Sequence, residues 1–282
     1  MRNPMKTITK WSILLMGFSF VFFSCHKPLQ NQKTQISAST HTEQISPTVK
    51  MVKIEGGLLK PFYGSDSALV QVQDFLIDEH AVTHEDYLEF VRKNPQWRKS
   101  QVRALFADED YLKDWPDDLT LPKNTNPKSP VVYVSWFAAS AYAKSANKRL
   151  PTLDEWEYLA MADETSKNAR SNPKYSEHII ELYNQKFREK GEVKKTRPNY
   201  YGVYNLFDLV WEWTSDYNSI MTTSDSRKGT YDDKGLFCAG AATSATDILN
   251  YAAFMRYAFR ASLKADYSIA NLGFRCAKDI NP

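Results

Sequence analysis

The sequence predicts an α+β domain poor in regular structure. Two short apolar alternations read as strands, three capped apolar stripes read as short helices, and long irregular connections separate them. No internal repeat interrupts this order.

The first strand is Met51 to Gly57, stopped by a glycine turn, and the second is Gln71 to Asp78, alternating through Val72, Phe75 and Ile77. Thr83 opens a helix with a capping-box pattern closed by Asp86, and Tyr87, Phe90 and Val91 give its apolar face. A Pro-, Asp- and Lys-rich connection runs from Trp115 to Pro130. Val131 to Val134 reads as a short strand leading into Ser135, the N-cap of a helix from Trp136 to Asn147. Thr152 with Glu155 forms a second capping box, followed by the burial positions Leu153, Trp156, Tyr158 and Leu159. Ser176 to Lys195 reads as a charged helical insertion. If Trp211 to Trp213 is extended, both indoles turn to one face and Glu212 to the other. The last stretch shows only short apolar runs with Arg256, Arg260 and Arg275.

The N-terminal part has a different character. Arg2, Lys6 and Lys10 precede a thirteen-residue apolar run, Trp11 to Phe23, which is short for a membrane span and fits a signal-peptide core. The run ends at Ser24-Cys25, which resembles a bacterial lipobox with Cys25 lipidated. Ordinary signal cleavage leaving a spare thiol is the alternative. Residues 26–50 are rich in Gln, Thr, Ser and Lys and read as a flexible tether. The domain organisation is therefore a signal segment at 1–25, a tether at 26–50 and one folded domain at 51–282, with the protein lipid-anchored in the bacterial cell envelope, at the outer membrane facing the periplasm. Hydrophobic content of 43% and aromatic content of 13% supply a core, and a formal charge of +3 gives no broad basic field, so no nucleic-acid partner is expected. Of the three cysteines, Cys238 and Cys276 either pair or remain two buried, inert thiols.

Five segments taken in order resemble the formylglycine-generating, sulfatase-modifying factor family, whose fold is related to that of C-type lectins. They are FLIDEHAVTHEDYLEFV from Phe75, PVVYVSWFAASAYAK from Pro130, KRLPTLDEWEYLA from Lys148, YGVYNLFDLVWEWTSD from Tyr201 and NLGFRCA from Asn271. The resemblance implies the fold; function has to be argued at the site. It also implies an oxidase that holds copper on two thiolates and turns a sulfatase cysteine into formylglycine. Soft thiolates suit Cu(I). Counting back from NLGFRC without a gap, however, Asp247 and Ala252 occupy the two cysteine positions, and no cysteine lies between Ala239 and Arg275. Copper and redox chemistry are not expected. Cys276 resembles a structural disulfide cysteine whose family partner position is Ala143 here, so a substitute bridge to Cys238 is one reading.

The resemblance also implies a calcium site at Asn205, Asp208, Val210 and Glu212, hard oxygen ligands of the kind calcium takes. Asp208 stands where the family has glycine, and the alternative for Glu212 is an ion pair with an arginine such as Arg275. His80 and His84 have a four-residue spacing, but without a third ligand they read as solvated or turn histidines, and His178 sits apart in the insertion. The expected function is a membrane-anchored, non-catalytic accessory or scaffold for a cell-envelope protein or assembly. The alternatives are the formylglycine-generating oxidase itself and lectin-like binding of a small ligand or glycan. The stretch Asn250 to Arg260 suits a contact surface or core packing.

Overall fold

The computed structural model describes residues 49–61, 69–185, 191–218 and 248–280. In order, the elements are β1 (Met51–Ile54), β2 (Gly57–Leu59), β3 (Val70–Val72), β4 (Phe75–Asp78), α1 (His84–Lys93), a short 3-10 turn (Pro95–Trp97), α2 (Trp136–Ser145), α3 (Leu153–Leu159), α4 (Pro173–Asn184), β5 (Trp211–Glu212), α5 (Ile248–Ala261), β6 (Leu272–Gly273) and β7 (Ala277–Asp279).

The central sheet is antiparallel in the order β1-β4-β7, pairing Ile54 with Phe75 and Ile77 with Ala277. β2 and β3 form a separate antiparallel ribbon, and β5 pairs with β6 in parallel. The stretch expected as one strand from Gln71 to Asp78 is thus split in two. Its break falls at Gln73-Asp74, where the Asp74 carboxylate accepts from the Gly56 amide at 2.9 Å. Gly56 has no room for a side chain there, since a Cβ would lie 2.1 Å from the Val72 carbonyl oxygen.

Helix starts follow the local signals. Thr83 and Asp86 exchange the reciprocal bonds of a capping box, Thr152 and Glu155 do the same, and Ser135 Oγ accepts from Ala138 N–H. The expected strand Val131 to Val134 is absent. Its valines are buried, but Tyr133 has φ of 57°, which interrupts extended pairing.

The largest departure is α5, a fourteen-residue helix where only short apolar runs were expected. Its buried positions, Ala252, Ala253, Arg256, Tyr257 and Arg260, have helical spacing. Two members of that stripe are arginines, and they hide the apolar period. That face is core packing, while Tyr251 stays exposed on the other side of the helix.

One core gathers α1, α2 and the Phe274 strand end around Tyr87, Tyr142 and Trp213. A second lies under β1 to β4 around Trp156, Phe75 and Leu159. Trp156 and Trp213 flank the segment that carries the candidate site.

Candidate functional site

β5 positions Glu212 at the centre of the molecule. Its carboxylate accepts from Arg275 Nε at 3.0 and 2.8 Å, from Arg275 Nη2 at 2.8 Å, and from the Trp156 indole at 2.8 Å. Both charged side chains are fully buried. The remaining Arg275 donors reach the carbonyls of Asp78 and Tyr204 at 3.3 and 3.0 Å. A guanidinium thus already occupies the oxygen-rich centre, and it is the arginine pairing weighed above as the alternative to calcium.

The other expected calcium ligands are engaged elsewhere. Asn205 Oδ1 accepts from Lys194 N–H at 2.8 Å, while its Nδ2 donates to Thr196 and to both oxygens of Asp208. Val210 is buried beside Gly273. Asn205, Asp208, Val210 and Glu212 therefore do not fit a calcium ion as a set, because the carboxylate meant to anchor it is committed to Arg275. Asp208 does not need the glycine it replaces: the left-handed backbone in this loop falls at Asn205, φ 55°, a residue type that tolerates it.

Beside this centre lies a second buried ion pair. Lys148 Nζ meets Asp78 Oδ1, and Asp78 Oδ2 accepts from Cys276 N–H at 3.0 Å. Cys276 is a free, fully buried thiol. Burial, reinforced by the Asp78 carboxyl, pushes it well above the ordinary thiol range. Cys238 lies outside the described residues, as do Cys25 and Asp247.

A third cluster carries no signal that sequence reasoning used. Arg256 grips Glu157 through Nε at 2.8 Å and Nη2 at 2.6 Å, and Arg260 adds a contact at 3.3 Å. Burial alone would raise the Glu157 carboxyl, but the two guanidinium groups outweigh it and hold it below the usual range. Arg260 also lies over the Trp156 ring, 4.5 Å from its centre. The acidic residue three after Thr152 was legible as a cap; Glu157, two further on, could have been paired with a downstream arginine only by knowing α5. Ala252, one turn before Arg256, lines a small cavity of about 30 Å³ against Glu157 and Tyr175, room enough for water.

The histidines do not converge. His80 bonds the Ala81 carbonyl, His84 is buried against Trp115 at 6.1 Å between ring centres, and His178 lies exposed on α4. Among the described residues no three His, Cys, Asp or Glu side chains are grouped to hold a metal.

Residues 37–280 match the family described as sulfatase-modifying factor enzyme 1-like domain. The chain belongs to that family. It is 31% identical to a formylglycine-generating enzyme of Streptomyces coelicolor over 74% of this chain and 80% of that enzyme. It is 29% identical to the inactive C-alpha-formylglycine-generating enzyme 2 of Bos taurus, over 82% of this chain and 88% of the relative. Among solved structures, PvdO from Pseudomonas aeruginosa aligns with a TM-score of 0.43 at 17% identity, covering 82% of this chain and 94% of that one.

The sulfatase-modifying factor family thus contains relatives described as active and as inactive. Ala252, reached by the gapless count from NLGFRC, is a methyl group on the buried face of α5. Among the described residues Cys276 is the one cysteine, enclosed and bonded through its backbone to Asp78, and a single buried thiol does not fit copper held on two thiolates.

Proposed function

We propose that this family member is non-catalytic and serves as an accessory or scaffold for a cell-envelope protein or assembly, held at the membrane through lipidated Cys25. The observation that supports this reading is the pair Asp247 and Ala252 at the cysteine positions. An aliphatic methyl cannot bind Cu(I), and a lone carboxylate is a hard ligand that does not replace two thiolates. What remains among the described residues is a fold whose buried ion pairs, Glu212 with Arg275, Asp78 with Lys148 and Glu157 with Arg256, hold its elements together, which suits a binding part.

Two experiments test the reading. Purified protein is incubated with Cu(I), oxygen and a cysteine-containing sulfatase peptide, and aldehyde formation is followed by mass spectrometry. No conversion is expected; copper-dependent aldehyde would establish the oxidase instead. Chemical cross-linking in native membranes then identifies what copurifies. An envelope assembly component supports the accessory role, whereas a sulfatase as the dominant partner would overturn it.

A further inference from the structure

A cleft of about 490 Å³ opens between α4 and the loop from Thr196 to Asp208. That is the size of a small-ligand pocket. Its floor is apolar, built from Leu182, Leu206 and the rings of Tyr175 and Phe207. Phe207 is fixed edge-on against Trp156, Tyr175 and Tyr183, so its position does not depend on a ligand.

The charges of the cleft are unevenly placed. Two carboxylates, Asp163 and Asp208, are half-buried. Asp163 is satisfied inside its own turn by the N–H groups of Thr165 and Ser166 at 2.8 and 2.7 Å. Asp208 contacts only the neutral Asn205 amide, at 3.2 and 2.9 Å, and meets no cation among the described residues. The positive groups of the lining stand at its exposed rim: Lys174 in solvent, and Arg197 paired with Glu164 at 3.2 Å. The charged groups inside the lining are therefore carboxylates, above an aromatic floor whose Phe207 ring also carries Arg256 at 5.7 Å, a guanidinium already neutralised by Glu157. A carboxylate partly withdrawn from water without a counter-charge favours a cation that replaces the lost hydration, and ring faces favour the same ligand.

We propose that this cleft binds an organic cation, a primary amine or guanidinium on an apolar stem, with its head on Asp208 and its stem over Phe207 and Leu206. Both walls are this chain's own, because Asp208 stands where the family has glycine and α4 lies in the insertion. The proposal rests on the accessory reading only for one of two sources, the basic side chain of a partner protein; the other is a free amine.

The full chain is titrated calorimetrically with cadaverine, with a short arginine-containing peptide, with hexanoate as an anionic control, and with calcium chloride. Binding of the two cations but not of hexanoate is expected. Asp208→Asn, and Asp208→Gly as the family residue, are expected to weaken it at least about tenfold, the loss of one charged hydrogen bond, with melting temperatures that show both variants folded. Tighter binding of the peptide assigns the source to a partner side chain, and tighter binding of cadaverine to a free amine. Failure of both cations to bind at millimolar concentration, equal binding by the Asn variant, or displacement of the amine by calcium would overturn the proposal. Loss of the envelope partner in cross-linking would sink the accessory reading while leaving amine binding standing.

Discussion

Replacing Glu212 by alanine separates an arginine-centred core from a calcium-centred one. In the native chain the Arg275 guanidinium is fully buried and receives three contacts from this carboxylate. Removing the carboxylate leaves a buried cation with only the carbonyls of Asp78, Tyr204 and Asn205 and takes the acceptor from the Trp156 indole. Breaking a buried pair from one side costs about 3–5 kcal/mol. Against a total stability of about 5–15 kcal/mol, that is a large share. For a domain of this size it corresponds to a fall in Tm of roughly 6–20 °C. Thermal scanning of native and Glu212→Ala protein, each with calcium and with chelator, is the assay. The drop should be the same in both buffers, and the native protein should melt identically with and without calcium. A native Tm that rises with calcium and falls with chelator, or an alanine variant as stable as the parent, would refute the assignment of these oxygens to Arg275.

Other outcomes follow from the same contacts. Burial pulls His84 down to about 4 from its usual 6.5, so the folded state refuses a proton that the unfolded chain accepts. The His84 contribution is complete above about 6.5 and is lost as pH falls towards about 4, by up to about 3 kcal/mol; urea midpoints across that window should slope less in His84→Leu, and equal slopes would reject this cause. Arg256→Met leaves Glu157 with only the single Arg260 contact and should destabilise by about 3–5 kcal/mol, read by urea denaturation, with little loss pointing to a relaxed, water-filled site. Gly56→Ala forces a Cβ into the Val72 and Gln73 backbone, and chemical denaturation should show a loss of about 1–3 kcal/mol; an unchanged midpoint would mean that the β2 and β3 ribbon is free to shift.

Where side chains signal their own local geometry, the sequence was readable. Thr83 with Asp86 and Thr152 with Glu155 announced helix starts because a capping box is complete within four residues. The alternation around Glu212 told which way it would point, and naming Arg275 as an alternative partner rested on charge alone. The misses have a common cause. Val131 to Val134 has strand composition, but the left-handed Tyr133 is imposed by tertiary bonds, Leu112 N–H to its carbonyl and its own N–H to Ile269. In α5 the buried arginines at positions 256 and 260 are tolerable only because Glu157 lies across from them, about a hundred residues earlier. Local pattern cannot show a long-range partner. The amine cleft was hidden for the same reason, since Asp208 reads as a loop acid until α4 is placed over it.

The contacts around Arg275 also close a very long stretch of chain. This one side chain bonds the carbonyl of Asp78, 197 positions away, while the neighbouring Cys276 amide closes on the Asp78 carboxylate across 198. β4 then lies between β1 and β7, so the central sheet has its middle strand early in the chain and one edge near residue 279. Contacts of such sequence separation must wait for a large loop to close before they contribute, which places folding among the slow, topology-limited reactions. Until that closure, Glu212 lacks its guanidinium, and Asp78 has Lys148 but not the Cys276 amide. Closing that loop joins three polar segments, far apart in sequence, into one interior.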